Sequence, residues 1–166
     1  MTTIRLLTAD DAEEYAALRR ESLLDAPLAF TSSPEDDIAS SAEGVRKSIA
    51  RGADSVIVGA FASELVGALG MYRDHHLKRA HKMHIWGVYV RPTHRGSGVA
   101  VALLEAAIAH ARSVPGIACL DLSVNSTAPA AQRVYERVGF RFWGCEPDAL
   151  RYNGEITQEH HMSLQL

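Results

Sequence analysis

A chain of 166 residues, 47% hydrophobic and 22% charged, carries enough apolar matter to bury a core without metal or disulfide staples. Its net charge of −3 provides no basic field for a nucleic-acid backbone, and no apolar run is long enough to span a bilayer, so neither nucleic acid nor membrane is an expected partner. With only Cys119 and Cys145 a disulfide framework is not expected, and Met1–Arg5 lacks the apolar stretch of a signal peptide, so a reducing cytoplasm is the expected compartment.

No repeat, low-complexity tract or linker interrupts the chain, which reads as one domain over residues 1–166. Thr3–Leu7 reads as a short strand, and Asp11–Leu24 as a helix capped by Thr8 or Asp10, with its acidic residues early. Asp25–Pro34, with two prolines, is a loop; a weaker helix over Glu35–Ala50 contains Gly44. Ser55–Phe61 and Leu65–Tyr72 are strands around a hairpin-sized Ala62-Ser63-Glu64. Arg73–Ala80 is a polar, mobile connection. In the strand His81–Arg91, strict alternation places His84, Trp86, Val88 and Val90 on one face, against Ile85, Gly87 and Tyr89. Pro92 ends it.

Ser97–Ser113 is a helix apolar enough to be covered on both sides. Ile117–Val124 is a strand, and Thr127–Val138 a helix with Pro129 in its first turn and Gly139 at its end. Phe140–Cys145 and Ile156–Leu166 close the chain as strands, with a turn at Asn153-Gly154. The strand–helix–strand unit from Met83 to Val124 predicts a parallel pair with a right-handed crossover. Hairpins elsewhere predict antiparallel pairing, so the class is α/β (α+β) with a mixed sheet.

The strand that ends at Arg91 runs through Pro92-Thr93-His94-Arg95-Gly96-Ser97-Gly98-Val99-Ala100 directly into a helix. A helix start leaves backbone N–H groups unpaired and carries partial positive charge. Gly96 and Gly98 let the backbone approach a ligand, and Arg95 can add a charge-assisted contact. Together they make a seat for phosphate or pyrophosphate. Val101 stands where a dinucleotide fingerprint needs its third glycine, and the Gly-Lys-Ser/Thr of a P-loop is absent. From Gly96-Ser97-Gly98 alone, a tight turn that binds nothing stands beside the ligand reading.

The stretch Val88–Ala100 resembles the signature of the GCN5-related N-acetyltransferases, whose Arg/Gln-x-x-Gly-x-Gly/Ala motif is matched by Arg95, Gly98 and Ala100. A second block, Ala131–Phe140, is similar to that family's Ala-x-x-x-Tyr-x-x-x-Gly-Phe helix. The blocks come in the family's order, and the resemblance covers nearly all of the chain. It implies a mostly antiparallel twisted sheet whose central parallel pair splays apart, acetyl-CoA as co-substrate, no metal and, by family habit, a homodimer.

The resemblance also implies roles. Pyrophosphate sits on Arg95, Gly96, Ser97, Gly98, Val99 and Ala100, while the pantetheine arm adds to the backbone of Val88, Tyr89 and Val90 as an extra strand. Tyr135 matches the frequent general acid beside the CoA sulfur, against the plainer reading of a core tyrosine. The family often has asparagine where this chain has Ala128. Asn125, one turn earlier, either replaces that contact or caps the following turn. His84 aligns with the position where several members place a catalytic Glu or His, and an imidazole suits proton acceptance at neutral pH; an ordinary polar strand residue is the alternative. Glu35 and His94 are weaker candidates for the base.

The acceptor is an amine of unspecified identity. Its pocket is expected from the Asp25–Pro34, Arg73–Ala80 and Glu146–Gly154 segments, with Phe30, Trp86 and Trp143 as aromatic walls or core residues. Pro27–Phe30 and Glu146–Leu150 are similar to a bacterial branch of the family. His75-His76, His81, His84 and His160-His161 share no helical face, and adjacent strand residues point apart, so no metal site is expected. Cys119 reads as core rather than nucleophile. The functional expectation is direct acetyl transfer to a primary amine; the rival is a CoA-binding sensor or interaction module without the chemistry.

Overall fold

The computed structural model describes residues 1–166. Seven strands form one sheet: β1 (Thr3–Leu6), β2 (Ser55–Phe61), β3 (Leu65–Arg73), β4 (Lys82–Val90), β5 (Cys119–Asn125), β6 (Arg141–Tyr152) and β7 (Glu155–Gln165). Their spatial order is β1-β2-β3-β4-β5-β7-β6, and β4–β5 is the parallel pair in an otherwise antiparallel sheet. The mixed sheet is as the sequence predicts. Four α-helices accompany it: α1 (Ala12–Asp25), α2 (Ala42–Ile49), α3 (Val99–Ser113) and α4 (Pro129–Arg137).

The sheet separates two cores. A cluster of 21 buried residues joins it to α3 and α4, and one of 13 joins its other face to α1 and α2. Val56 and Val58 of β2 enter the first and Ile57 the second, which is why β2 reads as an unbroken apolar run.

Three local expectations change. Glu35–Ala50 is not one helix: a short 3-10 turn at Ile38–Ser40 precedes α2. The Ser41 hydroxyl accepts from the Gly44 N–H at 3.1 Å and starts α2 there. A Cβ at Gly44 would lie 2.0 Å from the Ile38 carbonyl oxygen, so glycine is what lets the two turns touch. The strand expected to end at Cys145 continues to Tyr152 as β6. It tolerates Pro147 because β6 is an edge strand, with a bulge between Glu146 and Leu150.

The Arg73–Ala80 loop, expected to be mobile, is organised around Asp74. This carboxylate accepts from Arg79 Nε at 2.7 Å and from the His76 N–H at 3.1 Å, and it pairs with His84 Nε2 at 3.0 Å. Foremost the Arg79 guanidinium, then His84, holds the Asp74 carboxyl well below the usual carboxylate range.

The decisive irregularity lies in β4. Trp86 pairs with Gly70 and Tyr89 with Ala68, so Gly87 and Val88 together face the single residue Leu69. This is a β-bulge with Gly87 at φ +63°. It reverses the alternation. Met83, Ile85, Val88 and Val90 face the α3 side, whereas His84, Trp86 and Tyr89 lie on the other face. The common face expected for His84, Trp86, Val88 and Val90 is therefore broken after Trp86. Beyond the bulge β4 has left β5: their register contains only Lys82–Cys119, Met83–Leu120 and His84–Asp121.

Gly70 holds open the space for Trp86, since a Cβ there would meet the indole at 2.1 Å. Gly70→Ala is expected to lower stability by about 1–3 kcal/mol through overpacking, with a changed tryptophan emission spectrum; thermal unfolding and fluorescence measure both. A carboxyl held below its usual pKa contributes stability that is complete above about pH 4 and is lost as pH falls toward its lowered folded value. Asp74→Asn should therefore lower the melting temperature at pH 7 and flatten its decline below about pH 4; melting curves across pH test this.

Candidate active site

The splayed end of β4 is flanked by two cavities. One, of about 400 Å³, is lined by Val88, Tyr89 and Val90, the turn His94–Gly96, Gly98–Val101 and the α4 residues Ala131, Val134, Tyr135 and Arg137. It holds Arg95, Arg137 and His94 and no carboxylate, so its electrostatic bias favours an anion. Gly98 caps α3 at φ +85°. A Cβ at Gly96 or Gly98 would meet nothing within 4 Å, so the floor of the turn is open. The backbone N–H groups from Gly96 to Val101 have no partner within the chain; the first helical bond is Ala102 N–H to the Gly98 carbonyl. A row of free donors on a basic turn is what a pyrophosphate requires.

Of the residues expected there, Val88, Tyr89, Val90, Arg95, Gly96, Gly98, Val99 and Ala100 line this cavity. Ser97 does not: its hydroxyl donates to the His94 carbonyl at 2.6 Å and fixes the turn from outside. Arg95 lines it, but its charge is largely committed. Nε donates to the Val90 carbonyl and Nη2 pairs with Asp25, both at 2.8 Å. It braces the turn against α1, leaving backbone donors and Arg137 facing the cavity.

Asn125 also lies outside this cavity. Its amide nitrogen donates to Thr157 Oγ1 at 2.8 Å, and its oxygen accepts from Thr127 N–H at 3.0 Å and Thr127 Oγ1 at 2.7 Å. Of the two sequence readings, the geometry matches the turn cap.

Tyr135 closes the inner wall of the same cavity. It is buried edge-on to Phe140, with ring centroids 6.3 Å apart, and its hydroxyl has no partner in the chain. Burial pushes its phenol above the ordinary range, so it stays protonated through neutral pH.

The second cavity, of about 370 Å³, lies on the α1–α2 side and reaches the bulge at Trp86 and Gly87. Phe30 and Trp86 line it as expected. The remainder of its wall departs from expectation: of the three proposed segments, Asp25–Pro34 supplies Ala29–Ser32, whereas Arg73–Ala80 and Glu146–Gly154 supply nothing. The Arg73–Ala80 loop is drawn away by Asp74, and Glu146–Gly154 is consumed by the β6–β7 hairpin. Asp37, Gly44 and Val45 around α2, Tyr72 of β3, Ser123 of β5 and Glu159 of β7 take their place. Trp143 stands away from both cavities, exposed and beside His161 with ring centroids 5.3 Å apart.

His84 lines neither cavity. Its Nε2 is engaged by Asp74, and its ring stacks on Tyr72 at 4.9 Å; Tyr72, not His84, lines the second cavity. Glu159 lines that cavity, and its side chain has no hydrogen-bond partner. No signal in the chain marks it, because its place on this wall depends on β7 lying against β5. Asp74, His75 and His76 bring one ligand atom each within 4.8 Å of one another. They lie in a loop, so the strand geometry that argued against such a cluster does not apply. Asp74 is nonetheless already bound by Arg79 and His84.

Arg19 of α1 was not anticipated. It is 5% exposed, pairs with Asp37 through Nε at 3.2 Å and Nη2 at 2.9 Å, and lies 4.8 Å from the Phe30 ring and 5.4 Å from that of Trp86. A buried bidentate pair flanked by two aromatic rings sets the shape of the cavity wall.

Comparison with known proteins agrees with this geometry. Residues 15–140 match the model of the acetyltransferase (GNAT) family. No sequence among curated proteins matches the chain significantly. The fold is similar to that of a GNAT-family acetyltransferase from Streptococcus pneumoniae, at 21% identity over 100% of both chains with a TM-score of 0.86. It is also similar to a ribosomal-protein-alanine N-acetyltransferase from Brucella melitensis, at 18% identity over 99% of each chain and a TM-score of 0.82. A phosphinothricin acetyltransferase from Sinorhizobium meliloti in complex with acetyl-CoA shares 18% identity over 99% of this chain and 88% of its own, with a TM-score of 0.81. With three-quarters of its length matched by the family model and its splayed strands in place, this chain belongs to the acetyltransferase (GNAT) family and is an acyltransferase.

Proposed function

We propose that this enzyme transfers the acetyl group of acetyl-CoA directly to a primary amine. The observation that carries the reading is the bulge at Gly87, where a basic, donor-rich cavity ending on Tyr135 and a partly aromatic cavity reach the same strand from its two sides. The turn Gly96–Val101 holds the pyrophosphate on free backbone N–H groups, with Arg137 beside it. The unpaired edge of β4 at Val88–Val90 holds the pantetheine amides as an added strand. When bound, acetyl-CoA supplies the thioester that the amine attacks.

Tyr135, kept protonated by burial, donates a hydrogen bond toward the sulfur position as negative charge develops there. On the other side Phe30 and Trp86 exclude water around the amine. An ammonium group near pKa ~10 must lose a proton to react. Glu159, unpartnered on the acceptor wall, takes that proton through water in this reading. His84, expected as the base, instead supports Tyr72 through its stack and its bond to Asp74.

Thiol release from acetyl-CoA across a panel of amines tests the reading. Tyr135→Phe should lower kcat by about 10²-fold with little change in KM for acetyl-CoA, in the range typical of lost acid catalysis. Tight CoA binding without release on any amine would replace the enzyme with a CoA sensor. Glu159→Gln should lower kcat/KM by about 10²-fold, with His84→Phe milder; the opposite ranking returns the base to His84. Gly98→Val should weaken CoA binding at least about tenfold by obstructing the turn, and strain at positive φ should cost about 1–2 kcal/mol of stability. Calorimetric titration and thermal melts separate those two effects.

A further inference from the structure

Two buried donors in this protein have no hydrogen-bond partner, and they meet at one place. Asp37 engages Nε and Nη2 of Arg19, and Nη1 is left with nothing. Tyr15, one turn earlier on α1 and 2% exposed, has an unpaired hydroxyl. A Cβ built on Gly87 would stand 3.0 Å from Arg19 Nη1 and 3.9 Å from the Tyr15 hydroxyl. Both donors therefore converge on the bulge, and Arg19 and Gly87 both line the acceptor cavity.

Folded proteins rarely leave buried donors unsatisfied, least of all charged ones, unless something else completes them. A guanidinium edge beside a phenol offers hydrogens and fixed positive charge, and its complement is an oxygen rich in lone pairs. Asp37 occupies one edge of the Arg19 fork and aims the remaining edge at the bulge. Arg51, exposed on the same cavity and without an ion-pair partner, adds positive charge to the approach. Phe30, Ile57 and Trp86 supply an apolar surface close by.

Resting on the transfer reading above, we infer that the acceptor is an amine that also carries a carboxylate: a free amino acid with an apolar side chain. Its carboxylate is taken by Arg19 Nη1 and the Tyr15 hydroxyl. Both atoms are shielded in the unliganded chain, so the acceptor reaches them by displacing the backbone at position 87. Glycine in the left-handed region, without a side chain, is the residue that yields there most readily. Arg19 and Tyr15 are thus specificity residues, and the bulge that opens the cofactor cleft also forms the seat for the acceptor's acid group.

The test measures thiol release with L-phenylalanine, L-phenylalaninamide and phenethylamine, and with L-methionine and its amide. These share an amine and differ in the carboxylate. The amino acids should exceed their counterparts without a carboxylate in kcat/KM by about 10- to 100-fold, the worth of a hydrogen bond to a charged group. Tyr15→Phe decides the matter, because it deletes an unpaired hydroxyl from the core and should leave the melting temperature unchanged or raised. It should cut the amino-acid preference several-fold. Arg19→Met, which strands Asp37, should abolish the preference in whatever fraction folds.

Equal use of phenylalanine, its amide and phenethylamine would overturn the carboxylate seat while leaving acetyl transfer standing. So would an unchanged preference in Tyr15→Phe. Silence with every amine would overturn the transfer reading and this inference together.

Discussion

The break in pairing between β4 and β5 is the constraint on which the rest of this molecule depends. A parallel pair in the middle of a sheet ordinarily continues to the strand ends, because every unpaired backbone group inside a fold is costly. Here pairing stops at His84–Asp121, and the chain sustains the gap with a bulge at Gly87. One extra residue turns the strand aside, reverses its side-chain parity and leaves backbone groups for a ligand to satisfy. The two large cores clamp the sheet on both faces, so the gap does not close by collapse.

Charge is distributed to match the two cavities that flank the gap. Around the first cavity two arginines are held by acids that lie outside its lining: Arg95 by Asp25, and Arg91 by Glu21 and Glu64. Those pairs lash α1 and the β2–β3 turn to the strand end, and the cavity keeps free N–H groups and Arg137. Beside the second cavity the Arg19–Asp37 pair is dry, with each side chain 5% exposed. Burying such a pair is no gain in stability over apolar packing, so its presence on the wall of a cavity is not explained by stability.

Much of this was legible from the chain. The Arg95–Ala100 turn, the Tyr135 helix and the order of strands are local or sequential features, and local chemistry dictates them: free N–H groups at a helix start, glycine where the backbone turns left-handed, apolar runs where both faces are covered. Less legible were the Glu35–Ala50 segment, broken where Ser41 caps α2 and Gly44 meets the Ile38 carbonyl, and the Arg73–Ala80 loop, ordered by a carboxylate whose partners lie on both sides of it. The bulge had a sequence mark in Gly87, an isolated glycine in an alternating strand. Strict alternation passed over it and placed Val88 and Val90 on the wrong side.

The sequence by itself determined the fold class, the family and the open glycine turn ahead of α3, because each rests on short-range geometry repeated along a few consecutive residues. Only the tertiary structure decided what lines the second cavity. Arg19, Asp37, Tyr72, Gly87 and Glu159 come from α1, the loop before α2, and strands β3, β4 and β7. No spacing links them in the chain. They meet because the sheet places β4 between β3 and β5, and because one extra residue at position 87 rotates the strand that they all face.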